Sequence, residues 1–187
     1  MKKFIADLRK HWEDRPFVWG GLEDVLMRKV CLPTCGRVLV LSPHPDDPES
    51  VAITCRLLMR SGCDIWYTIV CMSPSGVEDD YAHRSQNSDS ISLGDKKIEI
   101  RRREQTRSAE MFGLRAGRLA FLFIEEDEKV DSRKNQARIK DHLESVAPDI
   151  VIMPIGKDPN QMHAWVYQVF RKCARDLALK RGKPILA

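Results

Sequence analysis

Four short apolar runs, separated by segments of helical period, constrain this chain more than any other feature of it. Val38-Leu39-Val40-Leu41 is uninterrupted, the mark of a strand buried on both faces. Ile65 to Cys71 is β-branched and aromatic, Leu119 to Ile124 is a third run, and Ile150 to Met153 a fourth behind Pro148 and Asp149. Between them, Ser50 to Arg60 carries helical spacing (Val51, Cys55, Leu58, Met59), with Gly62 where a C-cap belongs. Ile98 to Phe112 (closed by Gly113), Arg133 to Val146, and Met162 to Leu179 ahead of Gly182 read as further helices. Strands alternating with helices predict right-handed βαβ units. The expected fold is therefore α/β: a Rossmann-like, mainly parallel sheet with helices on both faces, in a single domain.

The domain is expected to occupy residues 36–187, behind a lead-in segment, 1–35. That segment carries two short amphipathic patterns (Phe4, Ile5, Leu8, Trp12; Leu22, Val25, Leu26) and is expected to pack on the domain or on another subunit of a homo-oligomer. Ser73 to Lys97 is polar and too long for an ordinary connection, so it reads as a lid or as disordered. Pro184-Ile185-Leu186-Ala187 reads as the opening of another strand, and the domain is expected to continue beyond it.

Composition removes several classes of function. No apolar run approaches the roughly 20 residues that span a bilayer, and Asp7, Glu13, Asp14 and Arg15 break any signal-peptide core. Neither membrane nor nucleic acid is an expected partner, because 31 Lys and Arg are spread among 27 acids. Cys31 and Cys35 lack a second pair at finger-like spacing, and the six cysteines are read as reduced thiols of a cytoplasmic protein. No glycine-rich fingerprint follows the first strand, which disfavours a dinucleotide site.

In open parallel sheets the chemistry lies beyond the carboxyl ends of the strands. The loop after the first strand reads Ser42-Pro43-His44-Pro45-Asp46-Asp47-Pro48-Glu49, stiffened by three prolines. His44 and Asp47 can turn toward one metal while Asp46 faces a water; alternatively, Asp47 simply caps the next helix. The loop after the fourth strand ends in His163, a third ligand or a packed histidine beside Met162. Arg101, Arg102, Arg103 and Arg107 read as a solvated helix face, with Arg101 or Glu104 paired internally. His11, His83 and His142 read as surface residues. Glu125-Glu126-Asp127 stands where one carboxylate could reach the pocket rim.

The His-Pro-Asp-Asp loop resembles the signature of the LmbE-like, or PIG-L, N-deacetylases. The Arg101-Arg102-Arg103-Glu104 helix with Ala109 and Phe112-Gly113 resembles that family too, as does the set Pro154, Asp158 and His163. The resemblance runs from about Arg37 to the end. It implies Zn2+, or Fe2+, on His44, Asp47 and His163, with Asp46 as the catalytic carboxylate. It also places Asp127 and Asp158 at the substrate, an N-acetylated small amino sugar. Asn160 departs from the pattern, standing where members have a second histidine. Its amide can donate to an oxyanion but cannot titrate. Pro48 likewise stands where many members have Glu. The alternatives are a hydrolase of another bond, such as an ester, and a binding module without turnover.

Overall fold

In the computed structural model, residues 36–85, 90–126, 131–182 and 184–187 are described. The lead-in segment, with His11, Cys31 and Cys35, lies outside them. Strand β1 (Arg37–Ser42) is the centre: Val38, Leu39 and Leu41 are fully buried. It pairs in parallel with β2 (Asp64–Cys71) on one side and with β4 (Ile150–Ile152) on the other; β3 (Leu119–Ile124) lies outside β2. The order is β3-β2-β1-β4, and all pairings are parallel. Leu186 makes an isolated parallel bridge to Ile150, on the side of β4 away from β1.

The alternation of β1 side chains divides the core into two layers. Leu39 and Leu41 pack against Ile139 and Leu143 of α4 (Arg133–Val146) and Val166 and Phe170 of α5 (Gln161–Arg181). Val38 and Val40 pack instead with Cys55 and Leu58 of α1 (Ala52–Arg60) and with Phe112, the last residue of α3 (Leu93–Phe112). Helices therefore cover both faces, as the continuous apolar runs require. Helix α1 is preceded by a 3-10 turn, Asp47–Val51. The expected C-cap at Gly113 holds, with positive φ and the next amide reaching back to Ala109. At the end of α1 the C-cap is Ser61, and Gly62 one residue on takes the positive φ while the Cys63 amide reaches back to Leu58.

Of the polar stretch 73–97, residues 73–85 and 90–97 are described, and much of them is helical. It contains α2 (Asp79–Ser85), which seats Ala82 against Val77 and Ile100, and the first residues of α3. Helix α3 begins at Leu93 instead of Ile98, because Ser92 caps it: the Ser92 hydroxyl accepts from the Asp95 amide at 3.1 Å. His142 is not a surface residue either. It is half-buried, with Nε2 2.7 Å from the hydroxyl of the fully buried Thr68, and burial lowers its pKa. The folded state therefore resists protonating His142, so its contribution to stability is full above the unfolded value near 6.5 and is lost as pH falls from there through the lowered folded value. Urea midpoints at pH 7.5 and 5.5 should fall further for the parent than for His142→Gln; equal falls would mean that His142 does not titrate against folding.

Candidate active site

The strand order reverses between β1 and β4, since the chain leaves β1 toward β2 and β3 and returns on the opposite side. Such a reversal opens a crevice at the carboxyl ends of the two strands. The two loops that carry the candidate ligands meet there. In the first, the His44 amide donates to Asp47 Oδ2 at 2.7 Å, so the carboxylate is tethered within its own loop. The cap reading for Asp47 therefore fails: the N-cap position of the 3-10 turn is Asp46, which makes no side-chain cap bond.

Asp46 sits at φ 83°, ψ −27°, in the left-handed region. A non-glycine residue there is strained by about 1–3 kcal/mol and persists only where its surroundings hold it. Gln105 of α3 accepts from the Asp46 amide at 2.9 Å, and Arg101 donates to Asp46 Oδ1 at 3.0 Å. Arg101 also reaches the carbonyls of Pro45 (2.8 Å), Ser75 (2.9 Å) and Ser73 (3.3 Å). It is thus a buried residue that ties two loops together, in contrast to the solvated face formed by Arg103 and Arg107. The Asp46 side chain itself remains 80% exposed toward the crevice.

The second loop is fixed by packing and capping. A Cβ on Gly156 would meet the Tyr167 ring at 2.3 Å, so only glycine lets this loop lie against α5. Asn160 caps α5: its Oδ1 accepts from the Met162 amide at 2.9 Å and the His163 amide at 3.4 Å. Asp158 Oδ1 accepts from the Asn160 amide at 2.9 Å, and Oδ2 lies 3.0 Å from His163 Nδ1. The Asn160 amide first, and His163 after it, hold the Asp158 carboxyl below its ordinary value. Each Asp158 oxygen thereby has a protein partner, and the residue orients the His163 ring. Its contact with Nδ1 leaves His163 Nε2 turned to the crevice.

His163 Nε2 lies 3.6 Å from Asp47 Oδ1, and His44 Nδ1 lies 3.8 Å from Asp47 Oδ2. One donor atom from each of the three residues falls within 4.8 Å of the others. Tetrahedral zinc with Zn–N and Zn–O near 2.0 Å has ligand–ligand edges of about 3.3 Å. The donor atoms, within 4.8 Å of one another, would draw together onto such an ion, and a carboxylate-oriented imidazole is the usual companion of one. Burial raises the Asp47 pKa, so that carboxylate gains from a cation beside it. The residues present fit a divalent metal.

The same cavity, about 340 Å³, is lined by His44, Asp46, Asp47, Ser75, Gly76, Arg101, Glu126, Asn160 and His163. A larger open groove, about 680 Å³, runs along the outer side of α3 past Met111 and Phe112, but brings no ligand set together. From the acidic run after β3, Glu126 arrives, with Oε2 3.4 Å from His44 Nε2; Asp127 lies outside the described residues. Cys71 donates to Glu126 at 3.9 Å, and burial, then Glu126, pushes its thiol up to about 11. The sequence reading misses Gln105 and the loop-tying role of Arg101. The signal for both is their four-residue spacing, which puts them on one face of α3.

Fold and site together describe a Rossmann-like α/β domain with a candidate metal centre where its strand order reverses. The chain belongs to the PIG-L family, described as GlcNAc-PI de-N-acetylase, whose profile matches residues 39–174. No curated protein sequence matches it. Solved structures do share the fold. N,N'-diacetylchitobiose deacetylase from Pyrococcus horikoshii superposes with a TM-score of 0.57 at 22% identity, over 81% of this chain and 57% of that one. The 4-carboxy-2-hydroxymuconate hydratase GalB from Pseudomonas putida gives 0.59 at 22%, over 81% and 62%. The conserved protein TT1542 from Thermus thermophilus gives 0.57 at 17%, over 74% and 55%. This chain thus spans less than two thirds of the length of these three. Among the described residues, no helix is long and apolar enough to cross a membrane.

Asn160 offers a direct check on this geometry. Asn160→Ala removes the cap and should cost about 1 kcal/mol of stability, whereas Asn160→Ser keeps an acceptor and should stay near the parent. Urea denaturation of the three proteins measures it; equal stability for Asn and Ala would contradict the cap.

Proposed function

We propose that this chain carries the site of a metal-dependent hydrolase that removes the N-acetyl group from an amino-sugar-type small molecule. The observation that carries the reading is the meeting of His44, Asp47 and His163 with the exposed carboxylate of Asp46 in one crevice. Family membership supports it, as does the deacetylase among the proteins of the same fold. The fold is shared with a hydratase as well, so the choice of reaction rests on the family and on these residues.

His44, Asp47 and His163 would hold the ion, Zn2+ with Fe2+ as the alternative. When bound, such an ion would supply Lewis acidity toward a water and the amide carbonyl. Asp46 takes the proton as the water oxygen bonds to the carbonyl carbon, then delivers it to nitrogen as the C–N bond breaks, giving acetate and a free amine. Arg101 fixes one Asp46 oxygen and leaves the other for these transfers. The Asn160 amide oxygen is occupied by its helix, so its NH2 group is the part left to stabilise charge on the carbonyl oxygen. Asp158 keeps the His163 ring in the tautomer whose Nε2 carries a lone pair.

Acetate release from N,N'-diacetylchitobiose and from simple N-acetylglucosamine conjugates, with zinc supplied to the full chain, tests the reading. Asp46→Asn preserves size and the Arg101 contact while removing the base. Turnover should fall by about two to four orders of magnitude with the bound metal retained. Hydrolysis at the parent rate would assign Asp46 a purely structural place and overturn the mechanism.

A further inference from the structure

His44 stands between two sets of donors. On one side are Asp47 and His163. On the other is Glu126, 3.4 Å from His44 Nε2, with the Cys71 sulfur 3.9 Å beyond it. One donor atom from each of His44, Cys71 and Glu126 lies within 4.8 Å of the other two. Among the described residues, Cys71 is the one cysteine in such a group. The ligand–ligand edges of a tetrahedral N, O, S site around zinc are about 3.3–3.6 Å; the His44–Glu126 contact already matches them, and the Cys71 sulfur would have to draw in.

The placement is built by the sheet. Cys71 ends β2, directly beside the loop that carries His44, and its amide donates to the Pro43 carbonyl at 2.8 Å. That bond fixes the thiol relative to the His44 loop. The sulfur is buried, whereas the Glu126 side chain is 40% exposed and lines the crevice, leaving a route for an ion from the cavity side. Thiolate with imidazole selects for soft cations over the hard ones that an all-oxygen site would prefer.

We propose that Cys71, Glu126 and His44 form a second cation site, specific for thiophilic ions such as Cd2+, which excludes the ion held with Asp47 and His163: His44 Nδ1 faces Asp47 and Nε2 faces Glu126, and a neutral imidazole has a lone pair on only one of the two. The site stands on the geometry alone; the competition rests also on the reading of His44 as a ligand of the Asp47–His163 centre. Binding exchanges the Cys71 S–H bond for a sulfur–metal bond and releases the proton to solvent, with no change of oxidation state. The consequence is inhibition of the hydrolase by soft metals through loss of the catalytic ion.

Cadmium titration of the chelator-treated full chain, with Cys31→Ser and Cys35→Ser to silence those thiols, reads the site through thiolate-to-cadmium charge-transfer absorption in the ultraviolet. A band saturating at one equivalent is expected. Cys71→Ser, nearly isosteric, should abolish it, and Glu126→Gln should weaken apparent affinity by about tenfold or more. Asp47→Asn should leave the band in place. Absence of the band in the parent, its persistence in Cys71→Ser, or its loss in Asp47→Asn would each overturn the proposal. Zinc binding that survives Asp47→Asn and His163→Ala while the cadmium band behaves as expected would refute the first centre and leave the second standing.

Discussion

The site depends on one buried guanidinium. Arg101 takes its charge into the protein and neutralises it with the Asp46 carboxylate and three backbone carbonyls. A buried cation tolerates such a place only when its donors are met, and the rigid five-donor fork of arginine can meet them where lysine could not. In doing so Arg101 holds together the loop after β1 and the loop after β2, and with Gln105 it keeps Asp46 in a backbone conformation that an isolated chain would avoid. The orientation of the candidate base is thus a property of α3, more than fifty residues away in sequence.

The other half of the site is an exercise in local capping. Asp158, Asn160 and His163 all belong to the start of α5, and each is bonded to another of the three. Asparagine serves at position 160, where the family resemblance leads one to expect histidine, by holding the turn that carries His163. Asn160 is a strong N-cap, and capping fixes the first turn that presents His163. Asparagine carries no titrating group, so in the proposed mechanism proton transfer falls to Asp46.

How much of this is legible in the sequence follows from what each segment buries. Strand β1 can be read because four consecutive apolar residues admit few structures other than a strand covered on both sides. Helix α3 reads five residues short because its first turns carry Gly94, Asp95 and the buried Lys96, which break the apolar period there. Helix α2 escapes because it is short and buries only Ala82. His142 reads as a surface residue since nothing in its neighbourhood announces the buried Thr68 hydroxyl. In the crevice, the proximity of His44, Asp47 and His163 is legible from two short loops and the strand-end rule. Arg101, Gln105 and Glu126 reach the same place from segments whose approach is set by the packing of the whole sheet, and no local pattern encodes that.

The central claim is that two strand ends build one metal centre from His44, Asp47 and His163. Cobalt(II) titration of the metal-free full chain, followed by visible ligand-field absorption, tests it without reference to any substrate. One equivalent should saturate an intense tetrahedral-type spectrum in the parent and in Cys71→Ser. The spectrum should be lost, with affinity reduced by at least about a hundredfold, in His163→Ala and Asp47→Ala. Stoichiometric binding with an unchanged spectrum in His163→Ala would contradict the account.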